Sequence, residues 1–152
     1  MRRAVSALLQ RVSSAGVEVR GETVAEIGEG ILAFVAVQPG DTKADAEKMA
    51  ARIPGYRIFN DDQGQMNRCI ADINGGLLLV PQFTLAADTR KGTRPGFSTA
   101  AGPRLAEEIF THLADCAARR HANTARGHFG ADMRVHLVNE GPATFVLQTG
   151  RR

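Results

Sequence analysis

The chain has 152 residues, a net charge of +3, 43% hydrophobic residues and 23% charged residues. That is the balance of an ordinary globular protein, long enough to bury a proper core, and one domain is expected over residues 1–152. It excludes a disordered or fibrous chain, and no apolar run approaches the roughly 20 residues that a membrane-spanning helix needs.

Two cysteines, Cys69 and Cys116, are too few for a disulfide framework and read as reduced packing residues. The four histidines, His112, His121, His128 and His136, show no metal-ligand spacing, so neither a metal nor another cofactor is expected. The opening MRRAVSALLQRV is interrupted by Ser6, Gln10 and Arg11 and reads as a strand rather than a signal peptide, which points to the cytoplasm. Sixteen of the 19 basic residues are arginine, which suits phosphate contacts, but 16 acidic residues nearly balance them.

In chain order, residues 4–12, 16–20 and 22–27 read as strands, with Arg20-Gly21 turning between the last two. The apolar run 31–38 is expected to be a strand covered on both faces. Asp41 or Thr42 can then cap a helix whose apolar face is Ala46, Met49, Ala50 and Ile53, stopped by Pro54-Gly55. A short strand over 56–59 leads into NDDQGQMN, a polar turn that lacks the spacing of a calcium loop. Residues 77–83 form another buried strand ending in PQFTL.

The loop AADTRKGTRPGFSTAAG that follows is long enough to expect a function. Arg90, Lys91 and Arg94 cluster there, and from charge alone they read as a solvated loop. Pro103 sits where a helix tolerates it, and Leu105, Ile109, Leu113 and Cys116 line one face of that helix, with His112 at the boundary. Strands close the chain at 123–126, 133–138 and 144–149. In the last stretch, LVNEGPATFVLQ, Gly141-Pro142 interrupts two apolar runs. Locally it reads as a tight, rigid turn joining two strands. The whole pattern is α/β, with mixed, largely antiparallel sheets and two main helices; it carries no GxGxxG or Walker sequence.

Two blocks, VPQFTLAADTRKGTRPGFSTAAGP and GHFGADMRVHLVNEGPAT, resemble the D-aminoacyl-tRNA deacylase family. LLQRVSSAGVEV, AEIGEGIL, GDTKADAEKMAARI and YRIFNDDQGQMN match the same family in the same order, so nearly the whole chain is covered. The resemblance implies a proofreading hydrolase of D-aminoacyl-tRNA that works as a homodimer on tRNA, without a membrane or an obligatory protein partner. It implies a site at Gln82, Phe83 and Thr84, and a cis Gly141-Pro142 motif that reaches into the partner subunit's site and rejects L-substrates.

By the same resemblance, Arg11 and Asn139 support that motif, Phe129 and Met133 line a pocket for the terminal adenosine, and the substrate's 2′-hydroxyl assists. Two departures stand out: Pro81 replaces the family's usual Ser, and Asn-Glu-Gly-Pro-Ala-Thr replaces Asn-Asp-Gly-Pro-Val-Thr. Without the resemblance, Gln82-Phe83-Thr84 would read as a strand end with Phe83 in the core. Two further readings are a paralogue that deacylates L-alanyl-tRNA(Thr) and a nucleic-acid-binding module of the same fold. The near-balanced charge argues against strong non-specific DNA binding.

Overall fold

A computed structural model describes residues 2–151, with side chains described for 4–149. The first strand, β1 (Arg2–Val19), organises the sheet. One of its flanks pairs with β3 (Gly30–Ala36) over Ser6–Val12 and with β2 (Glu22–Ile27) over Ala15–Val19. Its other flank pairs antiparallel with β8 (Arg134–Arg151) along nearly its whole length. The break expected after Val12 is absent, because β8 carries the ladder past Ser13-Ser14 at the cost of a register shift.

Beyond β3, the sheet continues in parallel through β6 (Gly76–Pro81) and β7 (Thr124–Arg126). Two helices cover one face: α1 (Lys43–Gly55) and α2 (Pro103–Arg120). Strands β4 (Phe59–Asn60) and β5 (Met66–Arg68) form a separate small hairpin, shorter and later than the strand expected at 56–59. Its turn is organised by Asp61, which accepts the N–H groups of Gln63 and Gln65 and the Asn67 side-chain amide. The Asn67 contact, first among these, lowers the Asp61 pKa.

The continuous apolar runs of β3 and β6 are explained by two cores. Ile31, Ala33, Val35, Leu77 and Leu79 face the helices, where they meet Met49, Ile53, Ile109 and Leu113. Leu32, Leu78 and Val80 face the opposite way and pack with Val12, Val17 and Ile27. Strict alternation therefore places apolar side chains on both faces of the central strands, the pattern of parallel strands buried on both sides.

Local signals set the helix ends. Thr42, not Asp41, caps α1 in a reciprocal capping box with Asp45, and Asp41 instead accepts the Gln38 N–H at 2.7 Å. Pro54 lies inside the last turn of α1, which ends at Gly55. Pro103 opens α2, where a missing N–H costs nothing, and of the expected face Ile109, Leu113 and Cys116 are buried while Leu105 is half-buried.

The Gly141-Pro142 segment differs most from its local reading. It does not turn the chain back: both flanking runs belong to β8 and pair with the same strand. Gln10 faces Thr144 and Val12 faces Asn139, so two steps of β1 are matched by five of β8. The surplus residues, centred on Gly141 and Pro142, form a wide bulge, and the peptide bond between the two is cis.

Candidate active site

β6 ends at Pro81, and the chain then tightens into a single 3-10 turn, Phe83–Ala86, with Gln82 at its start. Gln82 still donates its N–H to Val35 at 2.8 Å, so the last rung of the parallel ladder anchors the turn. By strand alternation the nitrogen of Pro81 faces the other flank. There β7 has already ended opposite Leu79, so the proline removes no ladder bond.

A cleft of about 640 Å³ opens at this edge. Pro81, Gln82 and Phe83 form one wall, the start of α2 (Gly102, Pro103, Ala106) a second, and the loop carrying Phe129 and Met133 a third. It lies at the carboxyl ends of the parallel strands, where open α/β sheets usually place their ligands. Gly127 lets the third wall close in: a Cβ there would stand 2.8 Å from the Met133 sulfur.

Within the cleft mouth, the Gln82 side-chain amide donates to the Thr84 hydroxyl oxygen at 2.5 Å. Leu85 and Ala87 donate their N–H groups back into the turn, to Gln82 and Thr84. The N–H groups of Phe83 and Thr84 have no backbone acceptor among the described residues. Phe83 is 56% exposed rather than packed in the core, and it leans on Phe97, 45% exposed, with ring centroids 5.3 Å apart. Two exposed aromatic rings in contact beside a cleft form an apolar patch of the kind that meets a ligand or another chain.

Phe97 lines the cleft, and the sequence does not single it out. Its one signal is an aromatic in the long Gly-, Thr- and Arg-rich loop, a segment with no periodicity to place it. That loop is closed on itself by Asp88 and Gly96, whose backbones exchange both hydrogen bonds, 2.7 and 3.0 Å. Arg90 is committed to Asp88 through Nε and Nη2, each at 2.9 Å, which holds the Asp88 pKa down at about 2. Lys91 and Arg94 remain exposed.

The structure thus gathers Gln82, Phe83, Phe129 and Met133 around one cleft, with Thr84 next to it. Gly141 and Pro142 are not there. Val135, the one residue of β8 on the cleft, precedes Gly141 by roughly 20 Å of extended strand. Both motif residues are exposed, while the bulge beneath them is tied down. Arg11 donates Nε–H to the Glu140 carbonyl at 3.1 Å and Nη1–H to the Ile58 carbonyl at 2.8 Å. The Asn139 amide donates to the carbonyls of Arg11 and Ala143, at 3.0 and 3.3 Å. A Cβ on Gly141 would stand 3.2 Å from the Asn139 side-chain oxygen, so a larger residue fits only if that amide, which also braces the bulge, gives way slightly.

A family model described as D-Tyr-tRNA(Tyr) deacylase matches residues 8–148. A D-aminoacyl-tRNA deacylase of Pseudomonas fluorescens (strain Pf0-1) is 56% identical over 142 residues, covering 93% of this chain and 98% of that protein. One from Pseudomonas putida (strain GB-1) is 57% identical over 141 residues, covering 93% and 97%. Among solved structures, the c-Myc DNA Unwinding Element Binding Protein superposes with a TM-score of 0.90 at 32% identity, covering 96% of this chain and 99% of its own. A probable eukaryotic D-amino acid tRNA deacylase superposes with a TM-score of 0.85 over 96% of this chain and 100% of its own; at 14% identity it shows the shared fold. The chain belongs to the D-Tyr-tRNA(Tyr) deacylase family.

Proposed function

We propose that residues 1–152 form one deacylase domain, whose cleft hydrolyses the ester joining a D-amino acid to the 3′ end of tRNA. A second copy of the chain completes the cleft with its Gly141 and Pro142. The observation that carries this reading is the turn Gln82–Thr84: two N–H groups without backbone acceptors and one hydroxyl, at the mouth of a largely apolar cleft.

An aminoacyl ester is activated compared with an amide, so the site needs to place water and stabilise an oxyanion rather than supply a strong nucleophile. Water attacks the ester carbonyl, and the N–H groups of Phe83 and Thr84 receive the developing negative charge. The bond to the ribose oxygen then breaks, and that oxygen leaves with a proton. Because Gln82 donates to Thr84 Oγ1, the hydroxyl hydrogen of Thr84 is directed away from Gln82, toward water or substrate. Thr84 is a positioning group in this account, not a covalent nucleophile. Phe129 and Met133, together with Phe83 and Phe97, offer the apolar and aromatic surface that a terminal adenosine needs. Exposed Lys91 and Arg94 on the adjoining loop suit the phosphates on the 5′ side of that adenosine.

A proofreader of this kind accepts many D-side chains and refuses L-side chains, which a pocket that reads side chains cannot do. A rigid main-chain wall on the L side of the α-carbon can, by clash rather than attraction. Gly141 and Pro142 are built for that role. They are exposed, nearly free of side chain, braced by Arg11 and Asn139, and too far from their own cleft to serve it. The outer edge of β8 beside them exposes Val138 and Val146, 54% and 62%, as an edge strand that meets a second copy would.

The test is hydrolysis of D-tyrosyl-tRNA against L-tyrosyl-tRNA at equal enzyme. Rapid release from the D-ester with the L-ester intact is expected. Equal rates, or release of L-alanine from a threonine tRNA alone, would refute the assignment.

A further inference from the structure

α1 and α2 meet at a second group of chemically capable side chains, away from the cleft. His112 and Cys116 are four residues apart on α2, so both project from one face, and Glu47 reaches them from α1. His112 Nε2 stands 3.0 Å from a Glu47 carboxylate oxygen and 3.7 Å from the Cys116 sulfur. All three candidate donor atoms lie within 4.8 Å of one another. Measured along the helix, Cys116 lies roughly 15 Å from Ala106, the last α2 residue on the cleft.

The Glu47–His112 pair leaves the Cys116 sulfur to a different partner, the exposed Arg119. One imidazole nitrogen carries either a proton or a lone pair, so Nε2 satisfies the carboxylate or the thiol but not both. A cation satisfies all three at once. Ligand atoms held about 2.1–2.3 Å from a tetrahedral ion stand roughly 3.4–3.7 Å apart. The His112–Cys116 pair already has this spacing at 3.7 Å, and the exposed Glu47 carboxylate, now 3.0 Å from His112, has only to draw back slightly. A thiolate, an imidazole and a carboxylate form a donor set suited to a zinc-class ion. Cys116 is buried and Glu47 exposed, which leaves the fourth position toward solvent.

We propose that Glu47, His112 and Cys116 bind one zinc-class divalent cation that ties α1 to α2. The site takes no part in ester hydrolysis and does not rest on the deacylase reading. Arg119 donates to the Cys116 sulfur at 3.2 Å. Its side chain is exposed and free to swing away, but as a cation it competes with the metal for the same sulfur.

The experiment is titration of the metal-free, full-length protein with cobalt(II), followed by zinc(II) displacement. One cobalt per chain is expected, with a thiolate-to-cobalt charge-transfer band that Cys116→Ser abolishes. Glu47→Gln, an exposed change that leaves the core intact, weakens binding at least about tenfold. Arg119→Ala tightens it, an effect that adventitious surface binding would not show. Saturating zinc raises the melting temperature by about 5 to 10 °C at a hundredfold excess over its dissociation constant, and Cys116→Ser loses this shift. No charge-transfer band, a band that survives Cys116→Ser, or weaker binding in Arg119→Ala would overturn the proposal.

Discussion

Arg11 and Glu140 are joined across β1 and β8: the guanidinium Nε of Arg11 donates to the Glu140 carbonyl at 3.1 Å. The same side chain reaches back to Ile58 at 2.8 Å, so one residue fastens the bulge to the body of the protein. Arg11→Ala removes both charged hydrogen bonds, and a loss of about 2 kcal/mol in stability is expected from denaturant unfolding. Discrimination against L-esters should fall more than the rate on D-esters. A variant that loses stability but keeps full discrimination would show that Arg11 does not hold the wall.

Assembly gives a second prediction. If the partner subunit's Gly141 and Pro142 complete each cleft, sedimentation should show a dimer at assay concentrations. Mixing gives the sharper measurement. A chain whose cleft is filled by Gly102→Trp is combined with a chain altered at Pro142, and the hybrid retains one intact combination. D-selective hydrolysis should return on mixing, although neither parent has it. A fully active, selective monomer would contradict this.

Thr84→Ala separates a positioning hydroxyl from a nucleophile. With main-chain N–H groups carrying the stabilisation, the rate should fall about 10-fold or less, against the roughly 100- to 1000-fold typical of losing a main oxyanion donor. Single-turnover kinetics on D-tyrosyl-tRNA measure it. Collapse of the rate, or an acyl-enzyme trapped on Thr84, would reverse the assignment.

The loop carrying Phe97 has a defined acid limit. Asp88 is held at about 2 by the Arg90 side chain first and its backbone N–H second, against an ordinary value of 3.8. A carboxyl lowered in the folded state contributes fully above its unfolded value and loses that contribution as pH falls through the folded one. Amide protection at Asp88 and Gly96 should therefore be constant from about pH 7 to about 4 and decline from there toward about 2, while Leu78 stays protected. Asp88→Asn should show weakened protection throughout. Decline beginning near about pH 6, well above the carboxyl's window, would mean another group controls the loop.

Much of this architecture is legible because period and punctuation agree. The helical spacing of Met49, Ala50 and Ile53, with Thr42 before and Pro54-Gly55 after, locates α1. The unbroken apolar run of β3 announces a strand covered on both faces, and two cores cover it. Where the sequence misleads, the cause is non-local. Ser13-Ser14 reads as a break, yet β8 holds that stretch in the ladder. Gly141-Pro142 reads as a turn because nothing nearby reveals that both flanks pair with β1. Of the site, Gln82, Phe83, Thr84, Phe129 and Met133 come from family resemblance, since Phe83 alone looks like a core residue. Phe97 leaves no periodic trace, and of the Glu47–His112–Cys116 group only the four-residue spacing of His112 and Cys116 on α2 is written locally; Glu47 joins them through tertiary packing.

The most direct measurement of the central claim compares two small esters on the same tRNA body. If L-substrates fail because their β-carbon strikes Gly141 and Pro142, a substrate without a β-carbon meets no obstacle. Glycyl-tRNA should be hydrolysed and L-alanyl-tRNA, larger by one methyl, refused, with excess enzyme and no protecting factor present. An attractive apolar pocket separates one methylene by only about 10- to 200-fold, and a rigid clash can exceed that. Release of glycine with L-alanine retained is the predicted result. If glycine is spared along with L-alanine, selection depends on positive recognition of a D-side chain, and the main-chain wall is wrong.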